Sequence, residues 1–154
     1  MDCCFCHTNL YRVDFQGSVF ANCIFEGELR QTVFARQAFQ GESLPPNEMV
    51  DVDFSRASLR DVEFRELDLD RVRFPEDGNH VVVQNWRETL DRLIGLLSTR
   101  GQPEWRGLVA VLQFERKWIG PNQRQGVLNK VDLEETIGAE GLREFMSLLQ
   151  AGSV

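Results

Sequence analysis

The segment Val50-Asp51-Val52-Asp53-Phe54-Ser55-Arg56-Ala57-Ser58-Leu59-Arg60-Asp61-Val62-Glu63-Phe64-Arg65-Glu66-Leu67-Asp68-Leu69 places a large apolar side chain at every fifth position: Phe54, Leu59, Phe64, Leu69. Counting backward, the period continues through Met49, Leu44, Phe39, Phe34 and Leu29. It slips by one residue and resumes at Phe25, Phe20, Phe15, Leu10 and Phe5; forward, it ends at Phe74. A helix scatters every fifth residue around its axis, and a flat strand sends it to the opposite face. All of these side chains reach one interior if the chain turns once per pentad. Four turns then make a 20-residue coil, and stacked coils pair as strands about 4.8 Å apart.

Stacking at that period, with one residue missing between Phe25 and Leu29, predicts three columns. Leu10, Leu29, Met49 and Leu69 form one, and Phe15, Phe34, Phe54 and Phe74 the next. Val13, Thr32, Val52 and Val72 lie two residues before the phenylalanines. Self-similarity at a fixed period is the mark of a repeat architecture. The eight Leu, Met and Phe positions are the predicted structural core.

At Val13-Asp14-Phe15, Val52-Asp53-Phe54, Ala57-Ser58-Leu59, Val62-Glu63-Phe64 and Leu67-Asp68-Leu69 the chain resembles the pentapeptide-repeat family. The resemblance covers about residues 3–75. It implies a mainly β solenoid, a right-handed quadrilateral β-helix with the large residue and the small one two before it turned inward. The expected organisation is about 3.5 coils over 1–75 and an α-helical capping or interaction region over 76–154.

Within the first half, Gly27 is expected at a tightened corner, where glycine tolerates unusual backbone angles. Leu44 to Phe54 keeps the pentad count, so the register is expected to survive, with a bulged corner or small excursion between Gly41 and Asn47. Pro45 and Pro46 cannot donate to a ladder there. Phe74-Pro75 opens a break, and His80 to Val83 reads as one last strand. Asn85 with Glu88 reads as a capping box for a first helix ending at Gly101. Pro103 suits the first turn of a second helix. Asp132 with Glu135 marks a short helix to Gly138, and a last helix carries Leu142, Phe145, Met146 and Leu149.

The formal net charge is −7, with 27% charged residues. That balance argues against direct nucleic-acid or anionic-membrane binding. No apolar run is long enough to span a membrane and no secretory leader is evident, which reads as a cytoplasmic protein. Cys3, Cys4, Cys6 and His7 are too closely spaced for an ordinary zinc site. Cys3 and Cys23 fall instead on small inward positions of adjacent coils, as small buried hydrophobes; their spacing suits a disulfide, but a reducing cytosol argues against one. No nucleophile, glycine-rich phosphate loop or paired metal spacing points to an enzyme, a cofactor or a metal.

These observations predict a non-enzymatic protein-interaction module. Its helical tail either meets an unidentified partner or forms a homodimer. The family resemblance implies an alternative: an acidic DNA mimic that modulates a type II topoisomerase such as DNA gyrase. Stacking would align Glu28, Glu48 and Asp68 as an acidic interaction column. Residues 1–75 carry 13 Asp and Glu against 8 Arg. A rod of about 17 Å then holds roughly half the charge of B-DNA of that length. Exposed positions such as Arg56 are expected to matter little to stability.

Overall fold

The computed structural model describes residues 2–38 and 43–152. The chain begins with strands β1 (Cys3–Phe5), β2 (Leu10–Tyr11), β3 (Cys23–Arg30), β4 (Val33–Ala35), β5 (Val52–Arg60), β6 (Glu63–Arg65) and β7 (Val72–Arg73). Strand β8 (His80–Gln84) leads to helices α1 (Trp86–Leu97) and α2 (Pro103–Lys117), followed by β9 (Gln125–Asn129) and α3 (Lys130–Ala151).

The expectation of a mainly β quadrilateral solenoid is corrected. Pairing falls into one five-stranded parallel sheet in the order β1-β3-β5-β7, with β2 also on β3, and a separate two-stranded parallel sheet, β4-β6. A third sheet, β8-β9, is antiparallel. Among the described residues these ladders join into no closed four-sided coil. Asp14–Val33 and Ala21–Val50 are only isolated bridges. Much of the second half is helical, with helices of 12, 15 and 22 residues. The sheets stay short because the chain turns so often. Residues with positive φ recur two positions after a large apolar one: His7, Arg12, Gly17, Asn22, Gly27, Gln31, Asp51, Asp61 and Glu66. All but Gly27, which stays within the β3–β5 ladder, lie outside the named strands, and a non-glycine residue holds such a turn at a cost of about 1–2 kcal/mol.

The large residues nevertheless share one interior. Phe25, Phe34, Phe54, Met49, Leu29, Leu67 and Leu69 are fully buried in a single cluster, against which Phe5, Leu10 and Phe15 pack half-buried. Phenylalanine rings stack in two files, Phe5–Phe25–Phe54–Phe74 and Phe15–Phe34–Phe64, at centroid distances of 4.6–6.3 Å. The slip near Gly27 is visible as a change of register. Cys3 pairs with Cys23, twenty positions on, whereas Leu10 pairs with Leu29, nineteen on. Gly27 has φ +100°, and a Cβ there would lie 2.6 Å from the Thr8 carbonyl oxygen.

The predicted columns, however, break after Leu29. Leu29 pairs with Leu59, not Met49, and Phe34 with Phe64, not Phe54. Two pentads have dropped out of the stack. The peptide N–H of Asn47 donates to the carbonyl of Arg36 at 2.8 Å, so the stack passes from Arg36 to Asn47, and the described residues 37, 38 and 43–46 form an excursion from it. Leu44 is 47% exposed, against the expectation of an inward residue. Phe39, Gly41 and Glu42 lie outside the described residues. Beyond the excursion the twenty-residue offset returns, with Val52 opposite Val72.

A second cluster begins at Val83 and gathers Trp86, Leu90, Leu93 and Leu97 of α1 with Trp105, Leu108 and Leu112 of α2 and Phe145 of α3. Pro103 does open α2, and Gly138, at φ 72°, breaks α3 where two helices were expected. The caps differ. Asn85 adopts a left-handed conformation and makes no side-chain cap, and α1 stops at Leu97. Asn129, not Asp132, caps α3, its side chain accepting from the N–H groups of Val131 and Asp132. Strand β8 pairs with β9, in a stretch whose sequence carries no regular apolar period. Gly126 of β9 passes over Trp86 so closely that a Cβ would lie 2.3 Å from the ring.

The second half satisfies the last exposed backbone of the first. Leu59 N–H donates to Nε2 of His80 at 3.0 Å, and Asn129 donates to the Leu59 carbonyl at 2.6 Å. Asp61 N–H donates to Asp132, Glu66 N–H to the Trp118 carbonyl, and Gln125 donates to the Leu69 carbonyl. Arg60 is clamped by Asp132 and Glu135. Unpaired strand groups need such partners when buried.

Candidate functional site

Two places combine exposure with a rigid frame. The first is the excursion and its base. Asn47 occupies the small inward position two before Met49 and is 1% exposed. Its side-chain oxygen accepts from the N–H groups of Phe20 (3.1 Å) and Met49 (3.2 Å), and its amide nitrogen donates to the Ala35 carbonyl at 3.5 Å. Arg36, whose carbonyl receives the Asn47 N–H, is paired with Glu48 at 2.8 Å. The base is therefore held by five polar contacts. Above it stand Leu44, Pro45 and Pro46, all exposed. The proline rings fix φ and restrict the residue before each to extended backbone, so this arm has little freedom to bury Leu44 on itself.

The second place is a cavity of about 470 Å3 between the two halves. Leu59 and Val62 form one wall, Trp86 and Val127 the floor, and Leu108, Leu112 and Leu133 the opposite wall. Val111 and Phe114, 51% and 43% exposed, stand at its lip on α2. Polar groups are few: Asp61, Glu63, His80, Glu115, Asn129, Asp132 and Thr136, and no Lys or Arg. His80 is fixed, its Nδ1 on Asp77 at 2.9 Å and its Nε2 accepting from Leu59, which makes Nδ1 the protonated nitrogen. Asp132 is held by Arg60 and Glu63 by Arg65. Among the described residues no hydrogen bond or ion pair engages the Glu115 carboxyl. Burial, and then the neighbouring Glu63 charge, push its pKa up to about 7, against the opposing pull of Arg65. Burial, then Asp132, also raises Asp61.

The acidic positions singled out from sequence do not assemble. Glu28, Glu48 and Asp68 are all exposed, but the register sets Glu28 opposite Ser58 rather than Glu48. Glu48 is neutralised by Arg36, while Asp68 accepts the N–H of Asp70. Asp51 and Asp53 pair with Arg71 and Arg73 across the ladder. Arg56, expected to be idle, holds Glu26 at 2.6 Å, and that carboxylate is only 10% exposed. Cys3 and Cys23 are ladder partners, and the Cys23 thiol donates to the Ala21 carbonyl; the disulfide joins Cys4 to Cys6 instead. Among the described residues no group of three or more His, Cys, Asp or Glu is placed to hold a metal. No helix among them is long and apolar enough to cross a membrane.

No protein-family model, curated protein or solved structure matches this chain. Asn47 and Glu115 were missed by sequence reasoning. Asn47 carried one signal, its place two before Met49 in the pentad. Glu115 carried none, because its burial depends on how α2 meets β6.

Proposed function

We propose that this protein is a non-enzymatic protein-interaction module, and that it presents residues 43–46 to its partner. The observation that carries the reading is Leu44: a large apolar residue outside the core, beside two exposed prolines, on an arm with a pinned base. Rigid exposed apolar groups lose little conformational entropy on binding, and proline-stiffened segments suit aromatic-lined grooves. The homodimer reading has less support, because Leu90, Leu93, Leu97, Leu108 and Leu112 are already spent inside the protein's own second cluster. The topoisomerase reading also has less support, because Glu28 falls out of the acidic column and Arg36 pairs with Glu48. A cytosolic setting belongs to the proposal.

The test uses wild-type protein and Leu44→Asp as baits in native cell extract, with thermal melting as a folding control. The proposal predicts equal melting and loss of the captured partner from Leu44→Asp. An unchanged set of captured proteins would overturn it.

A further inference from the structure

The cavity between the halves stands apart from the Leu44 arm. We propose that it binds a small amphipathic amine, its apolar body between Trp86, Leu108, Leu112 and Leu133 and its ammonium group against the Glu115 carboxyl.

Three observations converge. The volume, about 470 Å3, lies in the range of small-molecule sites, and the walls are mostly apolar with a few polar groups, as such sites require. The sign of the lining is one-sided: four carboxyl groups, Asp61, Glu63, Glu115 and Asp132, and no cationic side chain. Of these, Asp132 and Glu63 already have arginine partners, while Glu115 is half-buried with no partner among the described residues. A half-buried carboxyl group without a partner loses part of its solvation, and a ligand that donates to it or carries positive charge offsets that cost. A neutral apolar ligand leaves the cost in place, and a carboxylate ligand adds a like charge. Entry is open beside Val111 and Phe114.

The pH dependence follows from the groups around Glu115. Glu63 and Arg65 face it from β6, and Asp61, His80 and Asp132 share its cavity. Burial and then Glu63 keep its pKa near about 7, so it is protonated below neutrality and ionised above. An alkylamine stays cationic throughout that range. Its affinity therefore rises with pH, by about tenfold between pH 6 and pH 8.

The experiment is calorimetric titration of the whole chain with 4-phenylbutylamine, 4-phenylbutanol and 4-phenylbutyrate. The proposal predicts that the amine binds at least tenfold more tightly than the other two at pH 8, and about tenfold more weakly at pH 6. Glu115→Gln should bring the amine level with the alcohol and remove the pH dependence. Val111→Trp, at the exposed lip, should block all three without disturbing the core. Circular dichroism melting establishes that both variants fold. Equal affinity for amine and acid, full amine affinity in folded Glu115→Gln, or no amine binding at millimolar concentration would overturn the proposal.

Discussion

Asn47→Ala is the substitution that separates a designed joint from a chance contact. In the wild type, one buried amide closes the excursion by taking the N–H groups of Phe20 and Met49, at 3.1 and 3.2 Å. Alanine leaves both donors behind in a site that is 1% exposed. An unpaired buried N–H costs about 1–3 kcal/mol. The donation to Ala35 is long, at 3.5 Å, and adds little. With some water entering the space vacated, the expected loss is about 2–4 kcal/mol, a large share of the stability of a small protein. Urea unfolding followed by far-ultraviolet circular dichroism measures it. The midpoint should fall by about 1–2 M at an ordinary slope for this size. Asn9→Ala serves as the control, since Asn9 is exposed and accepts a single N–H, that of Glu28. Its loss should stay under about 0.5 kcal/mol. If Asn47→Ala were as mild as Asn9→Ala, the argument that Asn47 holds the excursion shut would be wrong.

Other outcomes follow from the same geometry. Phe54→Ala removes a fully buried ring stacked between Phe25 and Phe74, and should cost about 3–5 kcal/mol in denaturant titration. Arg56→Ala should cost about 1–2 kcal/mol, because it strips the close partner from a largely enclosed Glu26. Glu115 sets a pH slope. The unfolded chain releases this proton near 4.5 and the folded one only near about 7, so its ionisation opposes folding. Stability should fall by about 2–3 kcal/mol as pH rises between those values, and Glu115→Gln should lack that slope.

The five-residue period revealed which side chains turn inward: Phe25, Phe34, Phe54 and Leu69 need no partner to be recognised as core. It could not reveal which layer each joins. Ten residues looped out and two pentads kept in register give the same count, so Leu44 looked as inward as Leu59. Only the buried Asn47 distinguishes them, through bonds to residues 12 and 27 positions away. Local signals read the helices well where local chemistry decides, as at Pro103 and Gly138. They failed where a distant group intervenes. Asp132 looked like a cap, but Arg60, 72 positions earlier, has claimed its carboxylate. Strand β9, with only Val127 and Leu128 apolar, exists because β8 and Trp86 give it a surface to lie on. Closure into four continuous sides was over-read from the period: repeated turning brings side chains inward without lengthening the ladders.

The central claim is that the stack passes directly from Arg36 to Asn47, with residues 37–46 dispensable to it. Deleting them joins Arg36 to Asn47, already hydrogen-bonded at 2.8 Å, and places Met49 five positions after Phe34. The decisive measurement is the unfolding free energy of that deletion variant. Cooperative unfolding within about 1 kcal/mol of wild type is predicted, since shortening a loop of this length changes closure entropy only slightly. Loss of the cooperative transition would contradict the account.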